Sequence, residues 1–209
     1  MVEFEAFPKV PRLSRKCTIT EKIDGMNAQI IIVPLEELDA DPQEPFLYIG
    51  DEFGVLAASR EKFITVEDDC CGFAKWVEAN VQDLLKLGHG RHFGEWWGKG
   101  IGRAYGLEEN RFSLFNTKRW SDPFERPSCC EVVPVLYEGP FTTEAIEAGL
   151  GILAINGSVA RPGFHRPEGI MIYHHAANMY FKKTIFNDEA PKSKSQVKRL
   201  VAQGAEADL

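Results

Sequence analysis

The stretch from Cys17 to Val33 constrains the fold more than any other. It reads CTITEKID, then a single glycine at position 25, then NAQIIIV from Asn27. β-branched residues dominate both arms, which suits pleated strands, and the glycine between them suits a turn. Further strand-like runs are Phe46–Ile49, Arg91–Trp97, Arg111–Asn116, Glu131–Tyr137, Gly169–Tyr173 and Met179–Phe186. Phe73, Trp76, Val77, Val81, Leu84 and Leu85 recur at helical spacing, with Gly88 as a stop. Thr142 or Thr143 is placed to cap a second helix running through Gly149. Strands do not alternate with helices, so a doubly wound parallel sheet is not expected. The expected class is α+β with antiparallel sheets.

Several function classes drop out early. The longest apolar run, around Ile30 to Val33, is far too short to span a bilayer, and the N-terminal MVEFEAFPKVPRLSRK lacks a signal-peptide stretch. The five cysteines are an odd number: Cys17, Cys70, Cys71, Cys129 and Cys130, with no CxxC pair. Reduced thiols in a cytoplasmic protein fit this pattern better than a zinc site or a disulfide framework. The glycines at 88, 90, 94, 98, 100 and 102 match neither GxGxxG after a strand nor a Walker loop. The net charge of −7 hides three basic segments: +4 over 9–22, +3 over 86–103 and +4 over 182–199, leaving −18 elsewhere. Folded together, these segments would line one groove for a polyanion. His89, His92, His165, His174 and His175 read as structural or surface residues, and Trp96 and Trp97 as core or a stacking platform.

One segment carries chemistry, Glu21-Lys22-Ile23-Asp24-Gly25-Met26-Asn27, in which a lysine precedes a glycine turn. It is followed in order by Ser59-Arg60, Phe93-Gly94-Glu95-Trp96-Trp97-Gly98, Phe112-Ser113-Leu114-Phe115-Asn116, Glu168-Gly169-Ile170-Met171-Ile172-Tyr173 and Phe181-Lys182-Lys183-Thr184-Ile185. In that order these segments resemble the motifs of the covalent nucleotidyltransferases, the polynucleotide ligases and mRNA capping enzymes. Lys22-Ile23-Asp24-Gly25 resembles the KxDG nucleophile motif. The spelling EKIDGMNA, ASR, FGEWWG and FSLFN is most similar to ATP-dependent RNA ligases of the phage type, over about Lys16 to Asn187.

The resemblance implies a nucleotidyltransferase (ATP-grasp-like ligase) core of antiparallel sheets flanked by helices. It implies ATP and Mg²⁺ or Mn²⁺ as cofactors. The substrate would be RNA with 5′-phosphate and 3′-hydroxyl ends, in an RNA-repair reaction by a monomer. Lys22 would attack the α-phosphorus of ATP to give lysyl-AMP, pass AMP to the RNA 5′-phosphate, and let a 3′-hydroxyl displace it. An ordinary lysine must lose its proton first, at a cost of roughly 4 kcal/mol near neutral pH.

By the same resemblance, Glu21 and the Ile23 backbone recognise adenine. Asn27 lies near the phosphates or the acceptor end, and Arg60 grips ribose or phosphate. Glu95 binds the ribose hydroxyl or orients metal waters, and Phe115 stacks on adenine. Glu168 supports metal water near Lys22, so Glu95 and Glu168 are the candidate metal ligands. Lys182 and Lys183 bind the α-phosphate and the leaving pyrophosphate. Two departures stand out. Asn116 replaces a common Asp, and the last motif has adjacent lysines rather than Lys-x-Lys. Adjacent strand residues face opposite sides, so one of the two lysines is a bystander unless the strand bulges; Lys183, leading into Thr-Ile-Phe, is the favoured contact.

Residues 1–190 are expected to form the nucleotidyltransferase domain and 191–209 a polar tail, too short for an OB domain. A DNA ligase, a GTP-using capping guanylyltransferase and a non-sealing RNA-binding relative are the alternatives.

Overall fold

A computed structural model describes residues 2–38, 44–186 and 188. Among the described residues eleven strands and three α-helices are formed: β1 (Lys16–Lys22), β2 (Met26–Pro34), β3 (Tyr48–Ile49), β4 (Phe53–Ser59), β5 (Phe63–Ile64), α1 (Phe73–Ala79), α2 (Val81–Leu84), β6 (Gly90–Gly98), β7 (Asn110–Leu114), β8 (Cys130–Val132), β9 (Val135–Pro140), α3 (Thr143–Asn156), β10 (Gly169–His174) and β11 (Met179–Thr184). They build two sheets. One has four strands in the order β11-β10-β1-β9; the other has seven, ordered β3-β4-β2-β6-β7-β8, with β5 beside β4. The pairings are antiparallel except β7 with β8, which run parallel. The α+β expectation holds. The polar tail and its four basic residues, Lys192, Lys194, Lys198 and Arg199, lie outside the described residues, as does most of the Pro-bearing loop at 39–45.

The two arms flanking Gly25 do not pair as a hairpin. β1 pairs with β10 and β9, while β2 pairs with β4 and β6. Ile23–Gly25 is therefore the crossover between the sheets, and Lys22 stands where they meet.

Each sheet has its own core. The apolar face of the seven-stranded sheet, with Ile30, Ile32, Ala57 and Leu114, packs on Phe73, Val77 and Leu84 of α1 and α2. Gly88 ends this helical region with φ +74°. In the four-stranded sheet, alternate residues Cys17, Ile19, Ile170 and Ile172 face α3 through Ala145 and Leu153. Thr142 caps α3 by accepting from the Ala145 N–H at 3.1 Å. The helix runs on past Gly149 to Asn156. Gly149 is a packing glycine rather than a stop: a Cβ there would lie 3.3 Å from Ile19 Cγ2.

β4 and β5 were not legible in the sequence. Phe53–Ser59 includes Gly54, Ala57 and Ala58, which show little strand preference, yet Val55 and Ala57 are fully buried between β2 and the helices. The expected Glu131–Tyr137 strand is split in two, because Pro134 turns the chain from one sheet to the other.

Candidate active site

A broad open cleft runs between the two sheets. Strand alternation decides what faces it. From the four-stranded sheet come Lys16, Thr18, Thr20 and Lys22 of β1, with Met171, Tyr173 and Lys182 of β10 and β11. From the other sheet and its loops come Asn27, Arg60, Glu95 and Phe115. Asn27 and Glu95 are cross-strand partners on β2 and β6.

Lys22 and Glu168 lie at the inner end. Lys22 Nζ donates to Glu168 Oε2 at 2.7 Å; the lysine side chain is 21% exposed and the glutamate 2%. Gly169 follows Glu168 because β11 crosses there: a Cβ would sit 2.2 Å from the Lys183 carbonyl oxygen. The second carboxylate, Glu95, accepts the Gly25 N–H at 3.0 Å. Burial pushes its carboxyl up to about 7; Glu168 and Asp24 add to the rise, and Lys22 and the Gly25 N–H oppose it. Gly25 fills a gap no other residue fits. A Cβ would lie 2.6 Å from the Trp96 carbonyl oxygen and 2.8 Å from Glu95 Cγ.

Asp24 is held by a loop whose part in the site was not read from the sequence. Its backbone N–H donates to the Tyr105 hydroxyl at 2.9 Å, and its carboxylate pairs with Arg103 Nε at 3.2 Å. Gly100, Gly102, Ala104, Tyr105 and Gly106 all have φ between +50° and +73°. Left-handed backbone at Ala104 and Tyr105 is strained, and such strain gathers at functional sites. The sequence signal is the alternation of Gly98, Gly100 and Gly102, which matches no phosphate-binding loop.

Glu21 has a different place from the one expected. It is one residue from Lys22, so its side chain points to the opposite, α3-facing side of the sheet. Oε1 accepts from the Ser158 hydroxyl at 2.6 Å, and Oε2 from the Val159 and Ala160 N–H groups at 2.8 and 2.9 Å. Burial raises its carboxyl above the ordinary range despite these donors. The carboxylate is thus committed inside the protein, and any adenine contact by Glu21 falls to its backbone. Ile23 is buried with Trp97 and Tyr105.

The adjacent lysines divide as alternation requires. β11 pairs with β10 without a bulge, Lys182 opposite Met171 and Lys183 opposite Ile170. Lys182 lines the cleft; Lys183 shares the Ile170 side, which faces α3, and reaches Asp188 at 3.5 Å. The preference for Lys183 is therefore reversed.

Trp96 and Trp97 are both core, their indole N–H groups bonded to the Cys71 carbonyl and the Ser113 hydroxyl, so neither is an RNA platform. Phe115 lines the cleft and packs against the Ile23 cluster. Asn116 Oδ1 accepts the Arg119 N–H at 3.1 Å, closing a turn that an Asp carboxylate would close equally well. Arg60 is exposed on the rim. His174 is structural, bonded to the Leu13 carbonyl and the Ala177 N–H.

Of the basic segments, Lys16, Lys22, Arg91, Arg103 and Lys182 line the cleft. Arg103 is also part of the clamp on Asp24. All five cysteines are free thiols. Among the described residues no group of three His, Cys, Asp or Glu side chains could hold a metal alone, and no helix is long and apolar enough to cross a membrane.

Comparison with known proteins places this architecture. The profile of the family described as RNA ligase matches residues 15–186. An RNA ligase mutant of Naegleria gruberi solved with ATP and Mn is 16% identical with a TM-score of 0.54, covering 81% of this chain and 48% of that one. The Naegleria gruberi RNA ligase with PPi is 17% identical, TM-score 0.54, over 82% and 50%. An apo mutant is 18% identical, TM-score 0.54, over 82% and 50%. The chain thus spans about half the length of these structures, and at such identities the likeness is one of fold. No curated protein sequence matches significantly.

Proposed function

The chain belongs to the RNA ligase family, and from that premise we propose that it is an ATP-dependent RNA ligase working through a lysyl-AMP intermediate on Lys22. The observation that carries this reading is the placement of the Lys22 amine inside a cleft, paired with the Glu168 carboxylate and within the electrostatic reach of Glu95. The amine nitrogen attacks the α-phosphorus of ATP; the N–P bond forms as the bond to the bridging oxygen breaks, and pyrophosphate leaves with the electron pair. The ion pair with Glu168 must yield a proton before attack. That proton passes to water in the open cleft, where the lysine side chain is 21% exposed. An RNA 5′-phosphate oxygen then attacks the same phosphorus, returning the lysine amine and giving AMP-RNA. A 3′-hydroxyl finally attacks the RNA 5′-phosphorus, forming the phosphodiester and expelling AMP.

Phe115 on one wall supplies a face for adenine, and Lys182 on the other a charge for the phosphates. Glu95 and Glu168 are the residues that would hold Mg²⁺ or Mn²⁺. Two carboxylates completed by substrate phosphates and water is an ordinary magnesium site. When bound, the metal neutralises phosphate charge. Residues 1–190 act as the nucleotidyltransferase unit of a cytoplasmic monomer.

The experiment compares labelled ATP and GTP, then RNA ends presented as a nick, a stem-loop or free strands. Sealing that needs ATP supports the reading. Stronger labelling by GTP would favour a capping enzyme, because a site built around one purine edge leaves polar groups unpaired with the other.

A further inference from the structure

Phe73, Trp97, Tyr105 and Phe112 are at most 1% exposed and belong to the cores. The cleft face of the four-stranded sheet instead carries aromatics open to the cleft. Tyr173 on β10 and Tyr180 on β11 are cross-strand partners with ring centroids 4.6 Å apart and planes 33° apart. His175 meets Tyr173 edge-on at 4.8 Å. Tyr180 is 59% exposed, and Phe186, 69% exposed, lines the same cleft. The platform is fixed in place. The Tyr173 hydroxyl donates to Asn178 Oδ1 at 2.7 Å, across the turn where Asn178 adopts φ +50°, and His175 Nε2 lies 2.9 Å from the Thr18 hydroxyl.

We propose that Tyr173 and Tyr180 form a stacking platform for an unpaired base of the RNA strand, with Lys182 holding the adjoining backbone phosphate. This rests on the ligase reading and adds the substrate element that the second sheet grips. The register supports it. Tyr173 lies opposite Thr18, and Gly169 opposite Lys22, so the platform is four residues, about 13 Å, along the sheet from the nucleophile. Lys182 lies between the two on the same face of β11. Base, phosphate and reacting lysine thus fall on one track. Phe115, the candidate adenine face, is on the other wall. The acids nearby are already paired: Glu138 with Lys16 at 3.0 Å, and Asp188 with Lys183 and the Thr184 N–H. Aromatic faces beside lysines suit single strands because every base has a π-face, and a rigid platform loses little entropy on binding.

The test uses the full chain and a 5′-phosphorylated single-stranded RNA carrying 2-aminopurine near its end. Wild type should quench the fluorophore on binding. Tyr180→Ala should lose the quench and bind roughly 5- to 140-fold more weakly, the range for one lost base–aromatic stack. Tyr180→Trp should restore both. A fully paired blunt duplex should show no Tyr180 dependence. ATP labelling of Lys22 is measured on the same preparations and should be unchanged in Tyr180→Ala. Labelled protein whose Tyr180→Ala variant matches wild type in quench and affinity, or weakens equally on the duplex, overturns the platform alone. Wild type that neither takes label nor binds RNA overturns the ligase reading beneath it.

Discussion

Replacing Glu95 with Gln should stabilise the free protein while impairing the reaction, and the gain should depend on pH in a defined way. Glu95 titrates near 7 in the folded chain against an ordinary 4.5, chiefly because it is buried. A carboxyl raised on folding binds protons more tightly in the native state, so stability is greatest below the unfolded value and falls as pH rises through the folded one. The amide introduced by Glu95→Gln would resemble the protonated acid and still accept the Gly25 N–H. Linkage between these two values gives Glu95→Gln an advantage of about 1 kcal/mol at pH 5, rising to about 3 kcal/mol at pH 8. Urea unfolding of both proteins at the two pH values measures it, with unchanged slope and a shifted midpoint. Comparing variant with wild type cancels the titrating groups that do not interact with Glu95. A stability difference equal at pH 5 and pH 8 would refute the account of Glu95.

Gly25→Ala forces a Cβ within 2.6 Å of the Trp96 carbonyl oxygen; it should cost about 1–3 kcal/mol in urea unfolding and lower the rate of ATP labelling, since the crossover bearing Lys22 must shift. Lys182→Ala should slow labelling about 10- to 150-fold, the range for one charged hydrogen bond, measured as incorporation of labelled AMP. Lys183→Ala should stay within about twofold, since its exposed pair with Asp188 contributes little; equal losses in the two variants would contradict the register argument.

The strands were legible where β-branched residues cluster, as in β1, β2 and β10. Their assignment to sheets was not, because CTITEKID and NAQIIIV have the same pattern whether they pair together or separate at Gly25. β4 escaped notice because Ala57 and Ala58 show burial only through neighbours. α3 was truncated in the reading because a helical glycine resembles a stop until Ile19 is seen against it. In the site, Lys22, Glu95, Phe115 and Glu168 were read from motif order, and the structure brings all four to one cleft. Glu21 was assigned from the motif it shares with Lys22, yet adjacency on a strand sends its side chain to the other face. Tyr105, Arg103 and Ser158 were missed because they act across 81, 79 and 137 residues of chain, contacts that no local pattern announces.

The most direct test is intact-mass and peptide mass spectrometry of the chain after incubation with ATP and Mg²⁺ or Mn²⁺. The account predicts a gain of one AMP per chain, mapped to Lys22, reversed by pyrophosphate and absent from a folded Lys22→Ala variant. A full-strength adduct in that variant, or AMP mapped to any other residue, would contradict it.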